Sequence, residues 1–199
     1  MKLHLGCGGT YLDGYVNIDF PPNKKTIMNV RADVYCDIRD LNYEDDSIDE
    51  IRSHHLFEHF NRVDALRILI KWRRWLKSGG KLVIETPDYF WCSVLFPLVP
   101  HKFKMKIGRH IFGSQEDFWG CHLDFWYKSK FKRVLSKIGF EHFRFSHPAY
   151  RNLLPNIKVS CAKSGKKINE EIALRELLEI YILTGEDKER FFRNWLGDH

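Results

Sequence analysis

The 199-residue chain is long enough for one domain with a full core, since domains run from about 50 to 250 residues. With 44% hydrophobic and 29% charged residues, its composition excludes a disordered or fibrous chain. A formal net charge of +6 favours anionic partners without identifying one.

Aromatic residues are plentiful, with 15 Phe, 8 Tyr and 6 Trp, and imply an aromatic-lined pocket or interface beside the core. The cysteines (Cys7, Cys36, Cys92, Cys121 and Cys161) show no C-x-x-C pair. That pattern argues for free thiols in a reducing compartment, not for a disulfide frame or a zinc site. The first residues run straight into a glycine loop, unlike a signal peptide. The longest apolar run, residues 89–99, is shorter than the roughly 20 residues a membrane span needs. Together these point to a cytoplasmic protein.

In chain order, a short strand over residues 3–5 ends in Gly6, Gly8 and Gly9. A second, 15–20, ends on Asp19 and Phe20 and is followed by the breaker PPNKK. Only nine residues separate Gly9 from Asp19, where a dinucleotide fingerprint holds a helix and has its acid about twenty residues on. A third strand, 32–38, carries Asp37 and Ile38 at its end. A fourth, 47–53, is anchored by Ile48 and Ile51.

Leu66, Leu69 and Ile70 at helical spacing predict a helix over 63–76, stopped by KSGG. The strand that follows, 81–86, is nearly continuous in apolar residues, as a buried parallel strand should be. Residues 89–125 are irregular in pattern, with Pro97 and Pro100 between the aromatic string YFWCSVLF and the cationic string HKFKMKIGRH. A helix over 128–137 ends at Gly139, and FEHFRFS and NIKVSCAKS read as strands close enough to pair antiparallel. INEEIALRELLEIYILTG and EDKERFFRNWLG read as amphipathic helices. Strands alternating with crossovers imply an α/β sheet.

Five pieces in order, LHLGCGG, GYVNIDF, CDIRDLNYEDDSIDEIRSHHLFEHF, WLKSGGKLVIETPD and SKIGFEHFRF, resemble a class I S-adenosylmethionine (SAM)-dependent methyltransferase. The likeness is to the small type 11 kind, related to ubiquinone-biosynthesis methyltransferases, and it spans about residues 3–164. It implies a Rossmann-like doubly wound sheet, mostly parallel with an antiparallel last strand, a shortened first crossover and extra C-terminal helices. Residues 1–164 would form the methyltransferase domain, with 89–125 as a lid over the acceptor. Residues 165–199 would be a helical extension packed on the domain or on a partner.

SAM is the cofactor the resemblance implies. Gly6, Cys7 and Gly8 would hold its methionine part and Asp19, with Phe20 beside it, the ribose. Asp37 would take the adenine amino group, with Ile38 on the ring, while Ser53 and His54 would border the methionine. One position departs from the family, which often has an acid where this chain has His4.

The chemistry candidates are His55 and His59 in SHHLFEHF, with Glu58 between them, and His122 in GCHLDFW. His-x-x-Glu-His also matches the inverted zinc-protease string, which requires a long helix and a distant third ligand. Some ubiquinone-type relatives show Glu-x-x-Glu-His, and His55 in place of their first Glu weakens a hard-oxygen Mg²⁺ site, so no metal is assigned. The expected reaction is O-methylation of a small-molecule acceptor, such as a sugar, a lipid or another biosynthetic intermediate, with histidine as base.

The aromatic half of 89–110 suits ring stacking, and its cationic half suits a phosphate or peripheral contact with an anionic membrane. Ile172, Leu177, Leu178 and Ile182 could serve a homodimer. Nucleic acid is not expected, because the fourth strand lacks the Asn/Asp-Pro-Pro-aromatic string associated with amino methylation of bases. A non-enzymatic SAM-fold scaffold is the other alternative. An NAD oxidoreductase is disfavoured by the short spacing and by Thr10 in place of a third glycine.

Overall fold

The computed structural model describes residues 1–148 and 154–197. Its first 61 residues form four strands and no α-helix: β1 (Lys2–Leu5), β2 (Val16–Asp19), β3 (Val34–Tyr35) and β4 (Ile48–His54). β1 runs parallel to β2 and β4, and β2 to β3. Parallel neighbours usually need a crossover of a dozen or more residues. Here residues 6–15 suffice, because the Asn17 side chain organises the return. Its Nδ2 donates to the carbonyls of Leu12 (3.0 Å) and Tyr15 (3.1 Å), and its Oδ1 accepts from Leu12 N–H (2.9 Å). β3 is shorter than the expected 32–38. Asp33 turns its carboxylate to Asn17 N–H (2.8 Å) at one end, and Asp40 N–H closes a turn on the Asp37 carbonyl (3.0 Å) at the other.

Helix α1 (Arg62–Trp75) starts where Asn61 Oδ1 accepts from Val63 and Asp64 N–H, a side-chain cap typically worth about 1 kcal/mol. It ends without help from glycine. Leu76 is already extended and opens β5 (Leu76–Pro87), so KSGG is a local irregularity inside a longer strand, with Gly79 at φ 74°.

Residues 89–125 are more regular than their sequence suggests. They hold α2 (Tyr89–Leu95), capped by Asp88, and α3 (His101–Phe112), which pack around Cys92, Ile107 and Leu154. α4 (Lys128–Lys137), β6 (Phe140–Ser146) and β7 (Asn156–Lys163) follow, then α5 (Glu170–Glu179) and α6 (Lys188–Leu196).

The seven strands order β3-β2-β1-β4-β5-β7-β6, with β7 antiparallel to both neighbours. This is the expected Rossmann-like sheet. One face, carrying Leu3, Leu5, Ile18, Ile51, Leu82, Ile84 and Val159, joins Leu69 and Trp72 of α1, Phe131 of α4, and Leu178 and Phe192 of α5 and α6 in one core. The C-terminal helices therefore bury apolar residues in their own chain, and Arg74 pairs with Glu170 across the α1–α5 contact.

Alternation places His4, Asn17, Glu50, Arg52 and Glu85 on the opposite face. These satisfy one another or near neighbours. Glu50 accepts from Tyr15 Oη (2.9 Å) and Arg52 Nη2 (3.2 Å), His4 Nδ1 donates to Asn17 Oδ1 (3.0 Å), and Lys158 pairs with Glu85 (2.8 Å).

Candidate active site

The glycine loop leaves β1 and lies against the end of β2. Gly6 N–H (2.9 Å) and Cys7 N–H (3.2 Å) both donate to the Ile18 carbonyl, and Gly8 N–H donates to Asp19 Oδ2 (2.6 Å). Gly6 (φ 66°) and Gly8 (φ 52°) sit in the left-handed region. A Cβ would come 2.6 Å from Leu56 Cβ at Gly6 and 2.5 Å from Met28 Sδ at Gly8. Only bare backbone fits here.

Asp19 Oδ1 also accepts from Phe20 N–H (2.7 Å). Each carboxylate oxygen has two lone pairs, so acceptor capacity remains for a ligand. Phe20 stacks on Trp119 at 6.5 Å, and Lys25 reaches Asp117 at 3.3 Å. The loop after β2 and the loop after α3 thus meet over this end of the sheet.

The other predicted cofactor residues are placed less uniformly. Cys7 is buried with Sγ on the Arg31 carbonyl, and burial pushes its thiol up to about 12, so only its backbone serves the loop. Asp37 is held below its ordinary value by the hydrogen bond from Arg39, whose Nη2 lies 2.6 Å from Oδ2. Ile38 belongs to the main core. Ser53 and His54 end β4, and both Ser53 Oγ and His54 Nε2 are buried without a hydrogen-bond partner. Burial lowers the His54 ring to about 4. His4, at the position where the family often has an acid, is buried against Asn17 and meets His54 edge-on at 5.9 Å.

Beyond Leu56, a single 3-10 turn (Phe57–His59) brings Glu58 into the interior, 2% exposed. His55, at φ 50°, is strained backbone at the same turn. Its Nδ1 hydrogen-bonds Glu58 Oε1 (3.3 Å), and Asn156 Nδ2 donates to its Nε2 (3.0 Å) while also reaching Glu85 (3.1 Å). His55 therefore orients Glu58.

His59 and His122 come together from distant elements, with ring centroids 4.6 Å apart at 89°. His59 Nδ1 lies 3.2 Å from the Cys121 carbonyl and His122 Nδ1 3.2 Å from the Ile111 carbonyl. A carbonyl only accepts, so both rings carry the proton on Nδ1 and leave the Nε2 lone pair open. His122 Nε2 stands 3.9 Å from Glu58 Oε1.

Burial opposes ionisation of Glu58. The His55 ring hydrogen-bonded to it outweighs that and holds the carboxyl at about 2. Burial drives His122 down to about 4, so it is neutral near pH 7. Glu58 and His122 line a narrow pocket, with room for about one water, together with Tyr89, Phe125 and Trp126.

Sequence reasoning named the three histidines, and Tyr89 as the start of the aromatic half of 89–110, but not Asn156 or Trp126. The His-x-x-Glu-His spacing signals the turn, whereas nothing local marks Asn156, which arrives from an antiparallel strand 101 residues after His55.

Residues 3–84 match the family model described as a methyltransferase domain. Over those residues the chain is similar to SAM-dependent methyltransferases. SAM is the cofactor this likeness implies, and the residues fit that group: bare glycine backbone beside an acid at the carboxyl ends of parallel strands, the ligand position of open α/β sheets.

Solved structures extend the likeness beyond residue 84 at the level of fold. A SAM-dependent methyltransferase from Archaeoglobus fulgidus shares 16% identity over 81% of this chain and 85% of its own, with TM-score 0.55. One from Methanosarcina mazei shares 15% over 83% and 92%, with TM-score 0.53. One from Mesorhizobium loti shares 14% over 81% and 90%, with TM-score 0.51. None of the curated proteins compared with the chain matches it in sequence.

Proposed function

We propose that this chain is a methyltransferase that acts at oxygen, placing an acceptor hydroxyl at the pocket lined by Glu58 and His122, with His59 beside them. Bound SAM supplies a methyl group already activated on a sulfonium sulfur. The glycine loop and Asp19 hold the cofactor. Leu56, in contact with Gly6, links that loop to the turn bearing Glu58 and His59. A hydroxyl is a poor nucleophile, and the two open Nε2 atoms beside an ionised carboxylate are suited to bind it and draw off its proton. Tyr89 and Phe125 offer ring faces for a sugar or another ring-bearing acceptor.

The observation that carries this reading is the convergence of His122, 64 residues after Glu58, on one buried carboxylate beside the cofactor loop. We extend the reading to peripheral membrane contact through α2, α3 and the 3-10 turn between them, where Trp91, Phe96 and Leu98 are exposed and Lys102 and Lys106 follow on α3.

The test is calorimetry with SAM and S-adenosylhomocysteine, followed by methyl transfer to a panel of sugars, phenols and lipid head groups. His122→Ala should keep SAM affinity while turnover falls about 10²–10⁴-fold. Failure to bind either cofactor form ends the proposal, and unchanged turnover in His122→Ala removes the histidines from it.

A further inference from the structure

We propose that Glu58, His59 and His122 form a binding site for one divalent transition-metal ion, of the Zn²⁺ or Co²⁺ type. This rests on the reading above and changes the part of its histidines: their Nε2 atoms would hold the ion, which would sit where the acceptor oxygen is held, in place of a free imidazole base.

The donor atoms of the three residues already lie within 4.8 Å of one another. Ligand atoms bonded at about 2.0–2.2 Å to one ion stand roughly 3–3.5 Å apart, so closure asks only for small side-chain shifts. The second-shell arrangement points the same way. Histidines that ligate metals donate their other ring N–H to a carbonyl or carboxylate, which fixes tautomer and ring orientation. Both rings do so here, His59 to Cys121 and His122 to Ile111, and His122 Nε2 stands 3.9 Å from Glu58 Oε1.

Glu58 supplies the independent observation. It is 2% exposed, yet its Oε2 has no hydrogen-bond partner. A buried carboxylate oxygen left unmatched is costly, and a cation beside it removes that cost. His55 on Oε1 completes the pattern as a hydrogen-bonded support of a ligating carboxylate.

Two imidazoles and one carboxylate form a borderline donor set that favours Zn²⁺ and its neighbours over Mg²⁺ or Ca²⁺. Three protein ligands leave at least one coordination position open. The pocket beside Glu58 and His122 faces it, so the exchangeable ligand is an oxygen donor: water, or a hydroxyl or carboxylate of the acceptor. The metal-free reading of the sequence rested on His55 replacing a glutamate. The structure puts His55 behind the donors and brings His122 in from the lid.

The experiment is titration of chelator-stripped full-length protein with Co²⁺, read by visible absorption and by equilibrium dialysis. One equivalent should bind with the weak ligand-field bands of a nitrogen–oxygen site. Glu58→Gln and His122→Ala should each lose at least about 100-fold in affinity, and His55→Ala about 10–100-fold. Asp19→Ala should bind Co²⁺ normally while losing SAM.

SAM binding by each donor variant serves as the folding control, and His59→Gln is the replacement if Glu58→Gln fails it. Absent binding, intense thiolate bands from the cysteines, or equal affinity in folded donor variants would each overturn the site. Should metal binding fail while SAM binding and metal-free turnover persist, the methyltransfer reading stands without it. Loss of SAM binding with Co²⁺ binding intact sinks that reading instead.

Discussion

Asp19 ties the glycine loop to β2 through Gly8 N–H and can accept from a ligand at the same oxygens. Hydrogen bonds to a charged acceptor are worth about 1.5–3 kcal/mol. Asp19→Ala should therefore weaken SAM binding about 10–100-fold by calorimetry, with Asp19→Asn losing less.

His54 gives a second residue-scale expectation. Burial lowers its ring to about 4 and lowers His4 in the same direction. The unfolded chain protonates these rings near pH 6.5. Between about pH 6.5 and 4 it then binds more protons than the fold, so stability falls on acidification through that window. From pH 7 to 5, His54 should cost about 1–2 kcal/mol after allowance for solvent screening. Denaturant midpoints measured across that range should flatten in His54→Gln. An unchanged slope would show that the ring is not buried neutral.

At the scale of elements, the turn after α3 decides whether His122 reaches Glu58. Gly113 sits at φ 87°, its N–H closes α3 on the Arg109 carbonyl, and it bridges to Cys121. His122 N–H then returns to the Phe112 carbonyl (3.1 Å). A Cβ on Gly113 would collide with the Gly120 carbonyl oxygen. Gly113→Ala should cost about 1–3 kcal/mol and lower Tm by several degrees, with Co²⁺ affinity falling further than SAM affinity. Equal losses in both ligands would show that the turn does not act on His122.

Such turns are where the sequence speaks least. The short, mostly buried strands were legible because Leu3, Ile18, Ile51 and Ile84 sit in clear apolar runs, and α4 was legible to the residue. α2 and α3 were not. Pro97 and Pro100 break the pattern, and the apolar side of α3, Phe103–Ile107–Ile111, is one residue wide among lysines. Of the site, the turn at Glu58 was visible from spacing. The pairing of His59 with His122, and the support of His55 by Asn156, depend on contacts 63 and 101 positions apart that no local pattern records.

At the scale of the whole molecule, residues 89–112 expose a run of apolar side chains on α2, α3 and the turn between them. Phe90, Trp91, Phe96, Met105 and Phe112 are exposed, and Leu98 is 75% exposed. Lys102, Lys106 and Arg109 lie on α3 among them, in a chain of formal charge +6. No helix among the described residues is long and apolar enough to cross a membrane. Aromatic and aliphatic tips rimmed by cations suit insertion at the head-group level of an anionic bilayer, where each Lys or Arg near the surface is worth about 1 kcal/mol. Tyr89 begins α2 and also lines the pocket, so an acceptor resting in the bilayer surface would enter beside Glu58. The protein should co-sediment with phosphatidylglycerol vesicles at low salt, release as salt rises, and stay in the supernatant when the vesicles are neutral phosphatidylcholine. Two added Glu at Lys102 and Lys106 should weaken vesicle binding about 100-fold or more, because two attractions become repulsions, and Leu98→Ser should weaken it about tenfold. Both variants should bind SAM as the parent does, since neither position touches the glycine loop. Binding that ignores salt and lipid charge would assign the face to a protein partner and overturn the membrane contact.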